Sequence, residues 1–346
     1  MEKALLLTLV VRAGRNAGLK APMDICRILE QTGEVENAVF YTERGQDFPV
    51  YLEMLDLVRK TVREGRRIIL QYPLQPAEYH EKQKEFMSLL KELDPDRTMI
   101  LMHDINHIRY PEVELYGREM DMLGRFRYFI VHNGKMEDYL RQFIPDSECV
   151  RLELFDYLCR PVCKTAKQVY QPGADPRIVF AGSLTREKAP FLFELEKEKM
   201  CFELAAYGNR AGRVANGRIK FGGSVDAEAL PGYLTGDLGL IWDGTIDAPS
   251  DRLAQRRYNR YNTPHKISCY LAAGLPVIAW REAAIAEVIE KYRIGYLMEN
   301  LYELNRLNLS QYEEYRKNAA KLSGQVTTGY FTGKMWEKVR QWCEPK

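Results

Sequence analysis

The chain has 346 residues, 46% of them hydrophobic and 11% aromatic, so it can bury two ordinary cores, and two domains are expected. A formal net charge of +2 excludes a global field that attracts nucleic acid, and no apolar run reaches the roughly 20 residues that a membrane-spanning helix needs. The seven cysteines are scattered and predict reduced thiols, so we expect a soluble cytoplasmic protein without a signal peptide.

Apolar runs rich in Val, Ile and Leu alternate with segments of helical periodicity, which is typical of a parallel sheet covered on both faces. In the first half we predict strands at 4–10, 38–43, 66–73, 94–104 and 125–133, with helices at 22–33, 48–64, 77–93 and 135–144. The first half is therefore an α/β unit.

A stretch rich in proline and lysine, residues 159–177, resembles an interdomain linker. After it the pattern restarts, with strands predicted at 178–184, 202–207, 238–242 and 276–280 and a helical, amphipathic stretch at 311–343. We predict two Rossmann-like domains, residues 1–165 and 166–325, with a C-terminal helix at about 326–346 that crosses back to the first domain.

The carboxyl ends of the strands hold the ligand in open α/β sheets, so the polar residues found there are the candidates for function. After the first strand comes VRAGRNAGLKAP (11–22), which contains Gly14, Asn16 and Gly18. Glycines allow a backbone to approach a ligand closely, and helix-start amides favour anions. Because the spacing is not GxGxxG, an ordinary turn and a binding loop both stay open.

His103 and Asp104 stand at the end of the predicted strand 94–104, in the segment MHDINHIRY. An imidazole and a carboxylate at this edge can handle a hydroxyl nucleophile by general acid–base chemistry. The alternative is structural, with Asp104 capping the helix that follows.

In the second half, FAGSLTREK (180–188) follows a strand with Gly182, Ser183 and Arg186. A guanidinium can bind a phosphate through two hydrogen bonds, or it can be a solvated surface charge. The segment predicts either a phosphate-binding loop or an ordinary exposed turn.

The loop 244–263 interleaves arginines with tyrosines. Its members are Arg252, Arg256, Arg257, Tyr258, Arg260 and Tyr261. Nucleic acid suits such a mixture, but one short cluster on a nearly neutral chain argues against that partner. We expect the loop either to bring the protein to an anionic membrane face, where each arginine gains about 1 kcal/mol, or to fold over a bound nucleotide as a lid.

Residues 258–280 pass from a polar and aromatic run into a helix of small residues and then a GLPVI strand. Lys266 stands at the start of the predicted helix 265–273, where its ammonium and the helix dipole would act together on a phosphate. Ala284 and Ile285 begin a second helix, and we expect free backbone amides there. Two helix starts, a lysine and an arginine predict a pyrophosphate site.

Taken together, these motifs resemble a known group of enzymes. KISCYLAAGLPVIA followed by AEVIEKYRIGYLM, in combination with AGRNAGLKAPMDI, MHDI, FAGSLTRE and LGLIWDG, is similar to the bacterial galactofuranosyltransferases and Gtf-type glucosyltransferases of the GT-B fold. The resemblance covers nearly the whole chain. It implies two Rossmann-like domains facing a cleft, with a UDP-sugar on the C-terminal domain and the acceptor on the N-terminal one.

The resemblance also implies roles for individual residues. On the donor side, with the helix-start residues included, these are Gly182, Ser183, Arg186, Asn262, Thr263, Lys266, Ala284 and Ile285. On the acceptor side they are Gly14, Asn16, Gly18, His103 and Asp104. We expect catalysis to depend on Asp104, His103, Arg186 and Lys266, with Asp104 nearest the acceptor hydroxyl.

One departure from the wider GT-B pattern concerns the Glu-x7-Glu motif. The positions of its two glutamates hold Tyr261 and Cys269 here, so the stereochemical outcome stays open. Asp94-Pro-Asp96 is formally a DxD metal signature, but it falls in a predicted turn before a strand. We expect no metal and no other cofactor.

The sequence thus predicts a glycosyltransferase that moves galactofuranose or glucose from a UDP-sugar to a glycan hydroxyl at the inner face of the membrane, in polysaccharide synthesis. One alternative is a non-catalytic GT-B-like subunit that binds a nucleotide sugar or glycan, and another is a nicotinamide oxidoreductase, which the missing GxGxxG disfavours. The donor sugar, the acceptor and the choice between monomer and homo-oligomer stay open.

Overall fold

A computed structural model of the chain describes residues 2–11, 17–42, 47–74, 88–111, 113–160, 170–209, 216–247 and 258–343. The chain divides into two compact units, Met1–Glu153 with Gly329–Lys346, and Leu154–Thr328. The chain thus enters the second unit at residue 154, ahead of the boundary that we expected after residue 165. The cause is that Tyr157 and Phe155 hydrogen-bond within the second unit, to Val326 and Ser268.

The first unit is built on six parallel strands in the order β2-β1-β3-β4-β5-β6. The strands are β1 (Ala4–Val11), β2 (Val35–Thr42), β3 (Ile68–Tyr72), β4 (Thr98–Met102), β5 (Tyr128–Val131) and β6 (Glu148–Arg151). Every residue of β3 and β4 is buried, as expected for central strands of a parallel sheet that is covered on both faces.

The second unit repeats this architecture with six parallel strands in the order β12-β11-β10-β7-β8-β9. The strands are β7 (Arg177–Ala181), β8 (Glu203–Tyr207), β9 (Ile219–Gly223), β10 (Leu238–Ile241), β11 (Val277–Trp280) and β12 (Gly295–Met298). The central strands β10 and β11 are again buried throughout.

Helices connect the strands. In the first unit they are α1 (Lys20–Glu30), α2 (Asp47–Arg63), α3 (Asn106–Arg109), α4 (Glu119–Leu123) and α5 (Gly134–Arg141). In the second they are α6 (Phe191–Glu194), α7 (Leu230–Tyr233), α8 (Lys266–Ala272), α9 (Ala286–Tyr292) and α10 (Tyr312–Val326). None of the helices in the described residues is long and apolar enough to cross a membrane.

The predicted helical stretch 311–343 is divided into α10 and a last helix, α11 (Tyr330–Val339). The break falls at Gly329, whose φ of +81° is a left-handed conformation that a side chain would strain. There α11 leaves the second unit and packs against α1 and β6 of the first. The predicted return of the C-terminal helix to the first domain is confirmed.

Every strand that we predicted exists, although most are shorter at one or both ends. The structure adds β6, β9 and β12, all of which lie at an edge of their sheet. Their sequences, ECVR, IKFGG and GYLM, are partly exposed and lack the continuous apolar run of a central strand. The predicted helix 77–93 lies mostly outside the described residues.

Candidate functional site

The carboxyl edge of the first sheet brings His103 next to β3. The backbone N–H of His103 donates to the carbonyl of Tyr72, and its Nε2 lies 2.6 Å from Gln71 Oε1. The Gln71 amide nitrogen already donates to Thr8 Oγ1, at 2.7 Å, and to the carbonyl of Pro22. Gln71 Oε1 must therefore accept, so His103 Nε2 carries a proton and is not a basic nitrogen in this arrangement.

Asp104 forms an ion pair on the same edge. Its Oδ2 lies 2.5 Å from Nη1 of Arg109, and the two side chains are 27% and 30% exposed. The N-cap residue of α3 is Ile105, and it makes no side-chain capping bond. Asp104 thus precedes the N-cap position, and the contact described for its carboxylate is the ion pair with the last residue of the helix rather than a capping bond.

His132 lies directly after β5. It is buried, and this burial lowers the pKa of its imidazole to about 4 despite the nearby Asp104 carboxylate. A neutral imidazole packed below the surface is a structural part of this edge. Among the remaining acceptor-side candidates, Gly14 and Asn16 lie outside the described residues, while Gly18 is exposed in the short 3₁₀ turn Ala17–Leu19.

Lys266 is the centre of the candidate site in the second unit. It is the first residue of α8, and its ammonium lies 2.9 Å from Asp243 Oδ1 and 4.6 Å from the centre of the Phe180 ring. The side chain passes Gly182 so closely that a Cβ there would lie 3.1 Å from Lys266 Cε. Lys266 thus bridges the ends of two adjacent strands, β7 and β10, with one face open to solvent.

The ends of β7 and β8 also touch through their backbones. Gly208 has a φ of +149°, and a Cβ on it would stand 1.8 Å from the carbonyl oxygen of Gly182. The N–H of Gly182 donates to the carbonyl of Tyr207, at 2.9 Å. Because this amide continues the sheet ladder, Gly182 contributes to the candidate site by leaving space for Lys266 rather than by offering a free amide.

Arg186 and Ser183 lie on the exposed surface just beyond. The guanidinium of Arg186 lies over the ring of Phe193 at 4.2 Å, and Ser183 Oγ is 3.4 Å from Thr185 Oγ1. The contacts described for Arg186 do not include Lys266. The two predicted phosphate ligands are therefore on the same edge of the sheet, but the structure does not join them.

Asn262, which precedes Thr263, lines a small cavity of about 20 Å³, large enough for one water molecule. Its lining includes Asn262, Asp243, Trp242 and Trp280. Thr263 is buried, while Asn262 Oδ1 is a buried acceptor for which the described residues provide no hydrogen-bond donor. An unsatisfied acceptor beside Asp243 is a place where a ligand hydroxyl or a water can bind.

The expectation of a free amide at Ala284 is wrong. Its N–H donates to the carbonyl of Asn259 at 2.9 Å, because the residues before α8 fold back onto the segment after β11. Ala284 and Ile285 are both fully buried, and α9 begins one residue later, at Ala286. Ile285 lines the same small cavity.

Two residues of this geometry were not singled out from the sequence. Asp243 is the counter-ion of Lys266, and Gln71 fixes the tautomer of His103. The signal for Asp243 was present, because LIWDGT places a carboxylate directly after a buried strand. Gln71 carried no comparable signal, since a single amide inside an apolar strand is more often structural.

The DxD-like pair is a turn, as expected. The backbone N–H of Asp96 donates to Asp94 Oδ1 at 3.0 Å, and Arg97 pairs with the same carboxylate. Within the described parts of the chain, no group of three or more His, Cys, Asp or Glu side chains has an arrangement suited to a metal ion.

Two family models match the chain in succession. Residues 5–143 match the glucosyltransferase 3-like N-terminal domain, and residues 178–339 match the glucosyltransferase 3-like C-terminal domain. The chain belongs to the glucosyltransferase 3-like family. The resemblance that the sequence motifs carried is thereby confirmed.

Relatives of this glucosyltransferase 3-like protein have more specific names. It is 27% identical over 282 residues to the β-1,6-galactofuranosyltransferase WbbI of Escherichia coli, covering 79% of this chain and 78% of WbbI. It is 26% identical over 331 residues to glucosyltransferase 3 of Streptococcus gordonii, covering 93% of this chain and 94% of that protein.

Solved structures establish the fold of this chain. Sucrose-phosphate synthase from Thermosynechococcus elongatus matches with a TM-score of 0.60 at 13% identity, covering 98% of this chain and 99% of that one. HepE from Anabaena in complex with UDP matches with the same score and identity, covering 98% and 100%. The predicted GT-B fold of two Rossmann-like domains is confirmed.

Proposed function

We propose that this protein is a glycosyltransferase that moves a sugar from a UDP-sugar to a hydroxyl group of a glycan acceptor. Its relatives are named galactofuranosyltransferase and glucosyltransferase, and HepE was crystallised with UDP and with UDP-glucose. The observation that carries the proposal is the arrangement of Lys266, whose ammonium lies at the ends of the adjacent strands β7 and β10 with Asp243 as its counter-ion.

The donor diphosphate would replace Asp243 as the partner of Lys266. An ammonium that is partly buried over an aromatic ring is desolvated at little cost, since the ring face attracts a cation. When the bond between the anomeric carbon and the diphosphate breaks, its electron pair leaves with UDP. Lys266 would stabilise that charge, and fixed charges of this kind often supply the largest part of catalysis.

We assign the acceptor to the first unit and its hydroxyl to Asp104. The hydroxyl oxygen forms the new bond to the anomeric carbon, and its proton passes to a base. Asp104 is a partly exposed carboxylate held by Arg109, whereas the Nε2 of His103 already carries a proton. Asp104 is therefore the better base, and His103 a donor that can orient the acceptor.

The finer parts of the proposal concern the sugar, the metal and the membrane. We propose a hexose, galactofuranose or glucose, after the names of the relatives. We propose that Lys266, rather than a metal ion, neutralises the leaving diphosphate, and that transfer persists in a chelator.

The basic loop is proposed as a lid rather than as a membrane contact. Arg252, Arg256 and Arg257 lie outside the described residues. Arg260 is bonded to Glu282 and lies over the ring of Trp280, 5.2 Å from its centre. Since Trp280 also lines the cavity beside Asp243, Arg260 lies near the proposed donor site.

The test is incubation of the protein with UDP-, GDP- and dTDP-sugars, with mass spectrometry to follow donor consumption and product. We expect one UDP-sugar to be hydrolysed slowly and transferred faster when a glycan acceptor is added. A protein that binds UDP but consumes no donor would instead be the non-catalytic binding subunit. A thermal shift with NAD and none with UDP would favour an oxidoreductase.

A further inference from the structure

Helix α3, which follows His103 and Asp104, cannot support itself. It has four residues, Asn106–Arg109, and an isolated helix of that length is unstable in water. Its N-cap residue is Ile105, whose side chain has no oxygen to accept the first backbone N–H groups. Another part of the chain must accept these donors.

The acceptor is Glu119, the first residue of α4 and thirteen positions beyond Asn106. Its Oε2 accepts the backbone N–H of His107 at 2.6 Å, and its Oε1 accepts that of Asn106 at 3.2 Å. The Tyr72 hydroxyl, at the end of β3, donates to Oε1 at 2.7 Å. One carboxylate thus joins the end of β3 to the first turn of α3.

Burying the Glu119 carboxylate lowers the stability of the folded chain, because the charged group loses its hydration. Glu119 is fully buried, and its burial raises the pKa of the carboxyl group to about 7, although the three donors lower it. A Ser, Thr, Asp or Asn at position 105 would be enough to cap α3, and it would not require the burial of a carboxylate. This desolvation cost suggests that Glu119 has a role besides stabilising α3.

Both ends of α3 are tied to the candidate acceptor residues. Asp104 lies two positions before the first residue of the helix, and its carboxylate is bonded to Arg109, the last residue. The ring of His107 is also held, since its Nδ1 lies 3.1 Å from the carbonyl oxygen of Tyr116. A shift of α3 would therefore move the Asp104 carboxylate.

We propose that Glu119 is a positioning residue for transfer, whose buried carboxylate holds α3 and, through Arg109, sets the orientation of Asp104. The expected effect on turnover rests on the proposed function, whereas the expected effect on α3 does not. Glu119 does not touch the reacting atoms, so its loss should misplace Asp104 without touching the donor unit.

The experiment compares wild type with Glu119→Gln and a matched control, Glu137→Gln. Glutamine keeps the shape of Glu119 but has one acceptor oxygen, so one of the two backbone N–H groups of α3 loses its partner. Glu137 is also a buried carboxylate of the first unit, but it is bonded to Arg141 and Arg151 and makes no contact with α3 among its described partners.

We expect hydrogen exchange at residues 106 and 107 to accelerate about tenfold or more in Glu119→Gln and to stay unchanged in Glu137→Gln. Transfer should fall about 10- to 100-fold in Glu119→Gln, the size expected when a catalytic group is misplaced by about 1 Å. UDP affinity should stay within twofold of wild type in both variants.

Wild-type turnover in Glu119→Gln, or an equal loss in Glu137→Gln, would overturn the inference. If wild type transfers no sugar, the proposed function fails, and exchange alone decides: a change confined to α3 supports the positioning role, and a uniform change across the unit refutes it. If Glu119→Gln does not fold, Glu119→Asp shortens the side chain and withdraws the carboxylate from the N–H groups of Asn106 and His107, and unchanged exchange at 106 and 107 in that variant refutes the role.

Discussion

The carboxyl edges of the two sheets share a topology and a partly exposed ion pair, but the cation of each pair comes from a different place in its helix. In the first unit Asp104 pairs with Arg109, the last residue of α3, and the two side chains are 27% and 30% exposed. In the second Asp243 pairs with Lys266, the first residue of α8, and these side chains are 31% and 20% exposed. Both pairs follow central strands, where the parallel sheet leaves its strand ends open. The fold places an aspartate two residues after each of these strands, and the helix that carries the paired cation decides where that cation lies.

The surroundings of the two pairs differ as well. Behind Asp104 lie hydrogen-bonding groups, with Gln71 holding His103 and the buried Glu119 holding α3. Around Lys266 lie aromatic rings, those of Phe180 below the ammonium and Trp242 and Trp280 at the neighbouring cavity. The first edge is suited to orienting a polar acceptor and moving a proton. The second is suited to holding an anion close to a planar base.

The largest effect is expected at Asp104, where Asp104→Asn keeps the shape and removes the charge. If the carboxylate accepts the proton of the acceptor, transfer should fall by about 10²–10⁴ while UDP affinity, measured by calorimetry, stays constant. Asp121→Asn, at an exposed carboxylate of the same unit, is the control. Arg109→Gln separates the base from its ion pair, which contributes at most about 1 kcal/mol at this exposure. Full turnover in Asp104→Asn would mean that the carboxylate of the first edge is not the base.

Lys266→Ala should weaken UDP binding by about 1.5–3 kcal/mol, the value of a charge-assisted hydrogen bond, without unfolding the unit. Lys220→Ala is the matched control, because Lys220 also pairs with a carboxylate, Glu203 at 3.1 Å, but this pair joins β8 to β9 rather than the ends of β7 and β10. Titration calorimetry with UDP measures both variants. Equal affinities for wild type and Lys266→Ala would remove the donor site from this edge.

The buried carboxyl group of Glu119 predicts a pH dependence of stability. Its pKa is raised from 4.5 to about 7 by burial, so the native state binds its proton more tightly than the unfolded chain does. Stability from this group is complete below about pH 4.5 and is lost as the pH rises through 7, by about 3 kcal/mol. Desolvation is the largest cause of the raised pKa, the nearby Asp104 carboxylate raises it further, and the hydrogen bonds from Tyr72, His107 and Asn106 lower it.

His132 acts in the opposite direction, because burial lowers its pKa to about 4 and its stability is lost as the pH falls below 6.5. The two contributions should nearly cancel in wild type between pH 4.5 and 6.5. In Glu119→Gln only the histidine remains, so the melting temperature should fall on acidification more steeply than in wild type. Parallel melting curves for the two proteins would contradict the pKa of Glu119.

Asp243→Asn tests the other member of the ion pair with Lys266. It removes the counter-ion that competes with the diphosphate for Lys266, so UDP affinity should rise about two- to fivefold, in keeping with a partly exposed ion pair worth at most about 1 kcal/mol. Calorimetry under the same salt conditions measures the change. A loss of affinity would mean that Asp243 itself binds the nucleotide or sugar.

The smallest effect is expected for Arg260→Ser. If the loop folds over the nucleotide as proposed, Arg260 should contribute about 0.5–1 kcal/mol to UDP binding and nothing to flotation with anionic vesicles. Vesicles of phosphatidylserine and phosphatidylcholine serve as the probe. Reduced flotation with unchanged UDP affinity would restore the membrane interpretation of the arginine loop.

The sequence was sufficient for the fold class and for the strand ends at which the candidate residues stand. Central strands such as IILQY and TMILM are buried on both faces, so their apolar runs are visible without any tertiary information. Polar residues directly after such runs, as in MHDI and LIWDG, mark the open strand ends. Edge strands such as β9 were missed for the same reason, since a half-exposed strand needs no apolar run.

Only the tertiary structure decided how those polar residues are paired. Lys266 meets Asp243 23 positions away, and Glu119 meets the amides of α3 from a separate helix. Sequence spacing cannot reveal such partners, because the distance along the chain says nothing about which strand ends become neighbours. The amide of Ala284 shows the same limit. Its place before a helix suggested a free donor, but in the folded chain it donates to the carbonyl of Asn259. Local composition determined what each residue could do, and the order of the strands decided what it meets.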